Sequence, residues 1–249
     1  MTLTRNIRLF LQKFLPDRLM RIIGFIYGLL QPAKKSYASA GEDLIIMQYF
    51  KDKNIEKGVY IDIGCFHPFW SSNTFKLHKF GWRGYCYDVD KFKLTMMKIF
   101  RKNRVETFFQ AIVPKNNILK EKDIKYINVY KFLTPWSDID TCDLETAENY
   151  SKKYKLNYKV LNVPANDINS ILNKLPNINF FKIDIEGLDE QILMEMNFEL
   201  YLPDVILFEN VEIWSGSKEI QKKLEDHGYE RLFISGYSVC YAQPISRNN

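Results

Sequence analysis

Glycine is scarce in this chain, 11 in 249 residues, and nowhere do three of them take the spacing of a pyrophosphate-binding loop. The dinucleotide fingerprint needs that spacing, because its glycines let a pyrophosphate lie against a helix N-terminus. Here Gly64 is followed by the bulky Phe66, Phe69 and Trp70, which argues against NAD or FAD as ligand. Cysteine is scarce too. Cys65, Cys86, Cys142 and Cys240 show no CxxC or Cys/His metal spacing, so free thiols, at least two of them buried, in a reducing, cytoplasmic compartment are expected. Long hydrophobic runs are missing. The longest, Ile22 to Leu30, has nine residues, far short of the roughly 20 that span a bilayer. There is no internal repeat and no low-complexity tract.

Charge is informative once it is divided. Residues 1–35 hold seven basic residues and one acid, Asp17, a net +6. The remaining 214 residues then hold 28 basic and 29 acidic residues. The basic character belongs to the N-terminal arm, and nucleic-acid binding by the main domain has no electrostatic support. Ile7, Phe10, Leu11, Phe14 and Leu15 share one helical face, with Arg5, Arg8 and Gln12 opposite. Pro16 breaks the pattern, and Leu19, Ile22, Ile23, Ile26 and Leu30 resume it. Ala38-Ser39-Ala40 resembles a cleavage site, but Lys34 and Lys35 separate it from the apolar run, so a signal peptide is not expected. Two readings of the arm stay open: packing on the domain or a second subunit as in a homodimer, and peripheral contact with an anionic inner membrane surface.

What remains, residues 36–249, is organised around Gly58-Val59-Tyr60-Ile61-Asp62-Ile63-Gly64. It reads as a buried parallel strand, apolar until Asp62 and turned at Gly64. An acid at the carboxyl end of such a strand lies where open α/β sheets bind ligands, and Gly64 lets the backbone approach the ligand. A second strand, Tyr85-Cys86-Tyr87, ends on Asp88, 26 positions after Asp62. An acid roughly 20 residues past the first turn accepts from ribose hydroxyls in nucleotide-binding units. A ligand with ribose and base but no phosphate, such as S-adenosylmethionine, fits the single glycine.

Five stretches carry a family resemblance. They are Gly41-Glu42-Asp43-Leu44, Tyr60-Ile61-Asp62-Ile63-Gly64, His67-Pro68 with Ser72-Asn73-Thr74, Gly81-Trp82-Arg83-Gly84, and Lys182-Ile183-Asp184-Ile185-Glu186-Gly187. In this order, over about 41–210, they resemble the FkbM family of S-adenosylmethionine-dependent methyltransferases. Cys65 stands where that family usually has a small residue, and Leu188-Asp189 where His-Glu is common. The resemblance implies a Rossmann-like α/β methyltransferase fold, with a mixed seven-stranded sheet flanked by helices. It implies S-adenosylmethionine as cofactor, Ser72, Asn73 and Thr74 bordering its amino-acid end, and Ala111, in the third strand, near the adenine.

Further along, Thr107 to Val113 reads as that third strand, stopped by Pro114. The pattern then loosens between 115 and 160, with Pro135-Trp136-Ser137-Asp138 and a helix carrying Tyr150, Tyr154 and Tyr158. This insert is longer than a crossover needs. It serves either as packing or as a cap over the acceptor, its aromatics facing a sugar and Asp138 or Asp140 bonding hydroxyls. Val163 to Asp167 is expected to start a helix that runs to about Leu175, with Asn166 or Asp167 capping it, and strands are expected at 178–183 and 205–208. A helix from Lys218 to His227 and a hairpin around Ser235-Gly236 close the chain.

Methyl transfer is an in-line displacement, so the protein must align acceptor oxygen, methyl and sulfur. A hydroxyl acceptor must also lose its proton. The candidates for this work are Asp184, Glu186, Glu209 and His67. Asp184 closes an apolar strand and is expected to be partly desolvated, which makes it the first choice; the alternative is a carboxylate that fixes the next helix. His67 beside Pro68 is as readily a structural hydrogen-bonder, and His78 and His227 rank below it. Asp184 with Glu209 and Asn210 loosely resembles an oxygen-ligand set for Mg²⁺, although no metal is the favoured reading. The function expected is O-methylation of a sugar or glycan-precursor hydroxyl. A module that binds S-adenosylmethionine without turnover, or a nicotinamide oxidoreductase, are the alternatives.

Overall fold

The computed structural model describes residues 36–121, 124–134, 136–209, 217–236 and 238–245, with Pro16, Leu19 and Ile22. The amphipathic pattern of the arm therefore lies almost wholly outside the described residues, as does Asn210. None of the described helices is long and apolar enough to cross a membrane.

Gly41 starts α1 (Glu42–Asp52), which leads to β1 (Val59–Ile63). Next come α2 (Phe75–Lys79), β2 (Arg83–Asp88), α3 (Lys91–Arg101) and β3 (Val105–Phe109). After a small excursion described below, the chain returns through α5 (Ile168–Leu172) to β8 (Phe180–Ile183), α6 (Asp189–Glu195) and β9 (Val205–Glu209). It closes with α7 (Lys218–Asp226), β10 (Glu230–Ser235) and β11 (Ser238–Ala242).

Seven strands form one sheet in the order β10-β11-β9-β8-β1-β2-β3. The five from β3 to β9 run parallel, and β11 is antiparallel to both β9 and β10. This is the mixed seven-stranded sheet expected. The chain builds outward from β1 to β2 and β3, then crosses back to lay β8 on the other flank of β1. The crevice at such a switch point is where open α/β sheets take ligands.

Alternation along the strands divides the core in two. Tyr60, Cys86, Phe180, Val205 and Leu207 face the layer of α1, α2 and α3, where Ile46, Phe50, Leu77, Leu94 and Met97 are buried. Ile61, Ile63, Tyr85, Tyr87, Phe181, Ile183, Ile206 and Phe208 face the opposite layer, with Ile171, Ile192, Ile220 and Leu224 from α5, α6 and α7.

Two expectations need correction. The stretch Thr107–Val113 is not one strand. β3 ends at Phe109, and after Gln110 the chain changes sheets as β4 (Ala111–Ile112). The insert is also more regular than its sequence pattern. β5 (Leu119–Glu121), β6 (Ile124–Phe132), helix α4 (Leu144–Tyr154) and β7 (Tyr158–Asn166) follow, and β4-β7-β6-β5 form a second, four-stranded sheet. Tyr158 therefore belongs to a strand, not to the tyrosine-bearing helix. Val163 to Asn166 complete β7, and of the two caps expected for the next helix it is Asp167 that serves, accepting from Ser170 N. β6 and β7 pair along their whole length. One face of this small sheet buries Ile127, Val129, Val163 and Ala165 against the main core, and that burial imposes strand geometry on a stretch with weak local preference.

Candidate active site

The carboxyl ends of β1, β2, β8 and β9 open onto one cleft. Asp62 and Gly64, Asp88, Asp184 and Glu186, and Glu209 line it, with Ala111, Ser72, Asn73 and His67. The insert supplies Asp138, Asp140 and Cys142 to the same wall.

On the β1 side a buried polar network fixes the walls. Asp62 and Lys182 are register partners across β1 and β8, and Lys182 Nζ lies 3.4 Å from Asp62 Oδ1. The same ammonium lies 3.4 Å from Asp184 Oδ2 and donates to the Gly64 carbonyl at 2.8 Å. Burial alone would lower Lys182, but Asp184 and Asp62 outweigh it and push it up, so it stays charged. Asp62 Oδ2 accepts from Thr74 at 2.6 Å. Behind Thr74 sits Arg101 of α3, 1 % exposed. Its guanidinium donates to Thr74, Ser72, Tyr60 and the Pro68 carbonyl at 2.7 to 2.9 Å. One buried cation thus ties the 68–74 loop to the sheet.

Thr74 is correspondingly not a wall residue. It is fully buried and donates to Asp62, which does line the cleft. Ser72 and Asn73 do line the cleft; Thr74, at the cap position of α2, makes no capping bond with its side chain, and Ser72 Oγ accepts from Phe75 N instead. His67 lines it too, but its Nδ1 accepts from Trp70 N at 2.9 Å and Phe69 N at 3.3 Å. Burial, then the charge of Arg101, lowers His67 to about 3. Its Nδ1 is thus engaged in the turn that follows β1, the kind of structural hydrogen bond weighed for it as the alternative to catalysis.

Toward the end of β2, Asp88 is 6 % exposed and its Oδ1 accepts from Asp90 N at 2.8 Å. Burial raises its carboxyl, opposed by the buried Lys93 ammonium. Lys131 from β6 reaches over to Asp90 at 2.5 Å and Asp140 at 3.2 Å, and Asp140 accepts from Phe132 N. Asp140 is therefore a tether of the insert. Trp136 is 4 % exposed and lies against His67, 4.9 Å between centroids, and Phe92, at 5.3 Å, clamping the insert onto the loop after β1.

Across the cleft, Asp184, Glu186 and Glu209 each bring a carboxylate oxygen within 4.8 Å of the other two. Glu186 takes a left-handed φ of 61°, followed by Gly187 at 117°. A Cβ on Gly187 would meet Thr146 Oγ1 of α4 at 2.8 Å, so the turn needs glycine to close against the insert. Tyr150 from α4 donates to Glu186 Oε2 at 2.6 Å, and Thr141 donates to the Glu186 carbonyl. Burial, then the Asp184 charge, raises Glu186 to about 8 despite Tyr150. Burial with Asp184 and Glu186 raises Glu209 to about 10, and burial with Asp184 raises Asp189 to about 7. The Asp184 side chain itself is 43 % exposed, so the desolvation expected of it falls on its neighbours instead. Asp189, whose side chain accepts from Ile185 N, fixes the turn. The oxygen set expected for a cation is changed as well: Glu186 joins Asp184 and Glu209, and Asn210 is outside the described residues.

The model of the methyltransferase FkbM domain matches residues 57–231. The chain belongs to this family. It is an S-adenosylmethionine-dependent methyltransferase, and the nicotinamide and non-catalytic readings fall away. No curated protein matches the chain. Among solved structures it resembles a methyltransferase from Geobacter sulfurreducens, with 9 % identity, 97 % of each chain covered and a TM-score of 0.44. A TehB-like SAM-dependent methyltransferase from Corynebacterium glutamicum has 9 % identity over 92 % of this chain and 97 % of its own, TM-score 0.40. Magnesium protoporphyrin IX methyltransferase from Synechocystis, with bound SAM, has 10 % identity over 92 % and 98 %, TM-score 0.41. At such values these add no weight; the family match and the strand order carry the assignment.

Sequence reading missed Lys182 and Arg101 as parts of the FkbM site, and it named Trp136 and Tyr150 only as aromatics of the insert, not as partners of His67 and Glu186. Lys182 had a signal, since a lysine inside an apolar strand must be paired. Arg101 had none, because it reaches its partners from a separate element.

Proposed function

We propose that this FkbM methyltransferase transfers the methyl group to a hydroxyl of a sugar or glycan precursor. In this reading Asp88 takes the ribose hydroxyls, Asp62, Gly64, Ser72 and Asn73 border the amino-acid end, and Ala111 lies at the adenine. The acceptor enters beside Asp184, Glu186 and Glu209, under the cap formed by 115–160.

The observation that carries this is the carboxyl cluster at the β8 and β9 ends, on the opposite wall from Asp88. It stands where an acceptor hydroxyl would shed its proton as the oxygen attacks the methyl carbon. Asp184, the most exposed of the cluster side chains, takes the proton directly, and Glu186, oriented by Tyr150, holds the hydroxyl. The half-buried rings of Tyr150 and Tyr154, 5.6 Å between centroids and next to Glu186, support a sugar because flat faces suit a pyranose ring. The three carboxylates also suit a hard cation. Asp184, Glu186 and Glu209 would hold Mg²⁺, which would offset their charge and acidify a bound hydroxyl.

S-adenosylhomocysteine release, measured across a panel of nucleotide-linked and free sugars, tests the reading. Turnover with at least one sugar is expected. Methylation confined to amine or carboxylate acceptors would overturn it.

A further inference from the structure

The described chain resumes past the arm at Ser36 and reaches α2 at once. Tyr37, just past the arm, packs edge-on against Phe75 of α2 at 4.7 Å, and its hydroxyl accepts from Lys79 Nζ at 2.8 Å. Ring contacts continue from Phe75 to Phe69 at 5.8 Å and on to Phe100 of α3 at 5.6 Å. This is the outer surface of the α1–α3 layer.

α3 buries Lys93, Leu94, Met97 and Arg101, which turns Lys98, Ile99 and Phe100 to solvent. Ile99 is 54 % exposed, Phe80 at the end of α2 52 %, and Phe100 40 %. Lys79, Lys98, Lys102 and Arg104 are exposed, while the only acids between 75 and 104 are Asp88 and Asp90, both buried. Large apolar side chains left in water among exposed cations mark an interaction surface. Two polyanions offer phosphates to such a surface. Nucleic acid rewards cations and flat rings, and an aliphatic side chain such as Ile99 gains little there. A bilayer interface rewards both, cations against lipid phosphates and apolar groups below them.

We propose that the outer face of α2 and α3 docks on an anionic phospholipid bilayer. Phe80, Ile99 and Phe100 enter the headgroup region, and Lys79, Lys98, Lys102 and Arg104 meet the phosphates. The folded domain thus carries its own membrane contact, continuous with the +6 arm that joins it at Tyr37. The loop holding Ser72 and Asn73, part of the cleft wall, leads directly into α2, so docking holds that side of the cleft at the bilayer.

The test uses the full chain, arm intact, and sedimentation with vesicles of phosphatidylcholine with or without phosphatidylglycerol. Wild type is expected to partition onto the anionic vesicles and not onto the neutral ones. Lys98→Glu with Lys102→Glu should weaken partitioning about 10- to 100-fold at moderate salt, and Ile99→Ser about severalfold. Calorimetry with S-adenosylmethionine should give wild-type affinity for both variants, which verifies the fold and keeps the result separate from the methyl-transfer reading. Equal partitioning of wild type and both variants would assign all attachment to the arm and overturn the proposal. Wild-type binding to single- or double-stranded DNA without binding to anionic vesicles would overturn it in favour of nucleic acid.

Discussion

A Cβ placed on Gly64 would lie 1.8 Å from the carbonyl oxygen of Asp184. The turn after β1 and the end of β8 are thus packed backbone to backbone, and Gly64 holds a φ of 76° there. Approach to the cofactor is the role its sequence position suggests; the close approach found is to the neighbouring strand. Gly64→Ala combines a left-handed φ with a clash against fixed backbone. It should cost about 2 kcal/mol or more and lower S-adenosylmethionine affinity, because Lys182 hydrogen-bonds the same turn. Urea unfolding with calorimetry checks both, and a variant of wild-type stability would contradict the geometry.

Asp88→Ala should weaken S-adenosylmethionine binding by about 1–3 kcal/mol, the scale for charged hydrogen bonds. Its buried position at the β2 end motivates this. Unchanged affinity in a folded variant would refute the ribose assignment.

Asp184→Asn keeps shape and removes the proton acceptor. Turnover should fall by roughly 10²-fold with cofactor affinity little altered. Wild-type turnover would move the role to Glu186.

Glu186 accepts from Tyr150 and is raised to about 8. It works as an acceptor only when unprotonated, so activity should climb as pH rises through about 8. Tyr150 lowers Glu186 relative to burial alone, so Tyr150→Phe should move this limb to higher pH. A limb unmoved by the substitution would show that Glu186 does not limit the reaction.

Glu209 is raised from 4.5 to about 10, chiefly by burial. As pH rises between these values the unfolded chain loses this proton while the folded chain keeps it. Stability from this group is therefore greatest at low pH and declines as pH rises toward about 10. Glu209→Gln removes the effect and should gain stability over wild type at about pH 9 more than at about pH 6. Denaturant midpoints at the two pH values measure it, and a constant difference would argue against a protonated Glu209.

If a divalent cation occupies the carboxyl cluster, chelator should abolish turnover and Mg²⁺ restore it. With direct proton transfer to Asp184, the expected case, chelator leaves turnover unchanged.

The sequence by itself determined the main sheet and the acids at its rim. β1, β2, β8 and β9 are each short apolar runs ended by a carboxylate, and burial on both faces leaves that pattern no other stable use. The start of α5 was legible because a single side chain, Asp167, caps its own turn. Tertiary structure decided the rest. The split between β3 and β4, the second sheet and the strand placement of Tyr158 came from burial of Ile127, Val129, Val163 and Ala165 against a core built elsewhere in the chain. The pairing of Asp62 with Lys182 is a matter of strand register, and the bond from Tyr150 to Glu186 joins residues 36 positions apart. Local propensity carries no information about either, since each exists only once separate elements are packed and a buried charge or hydroxyl must find its partner.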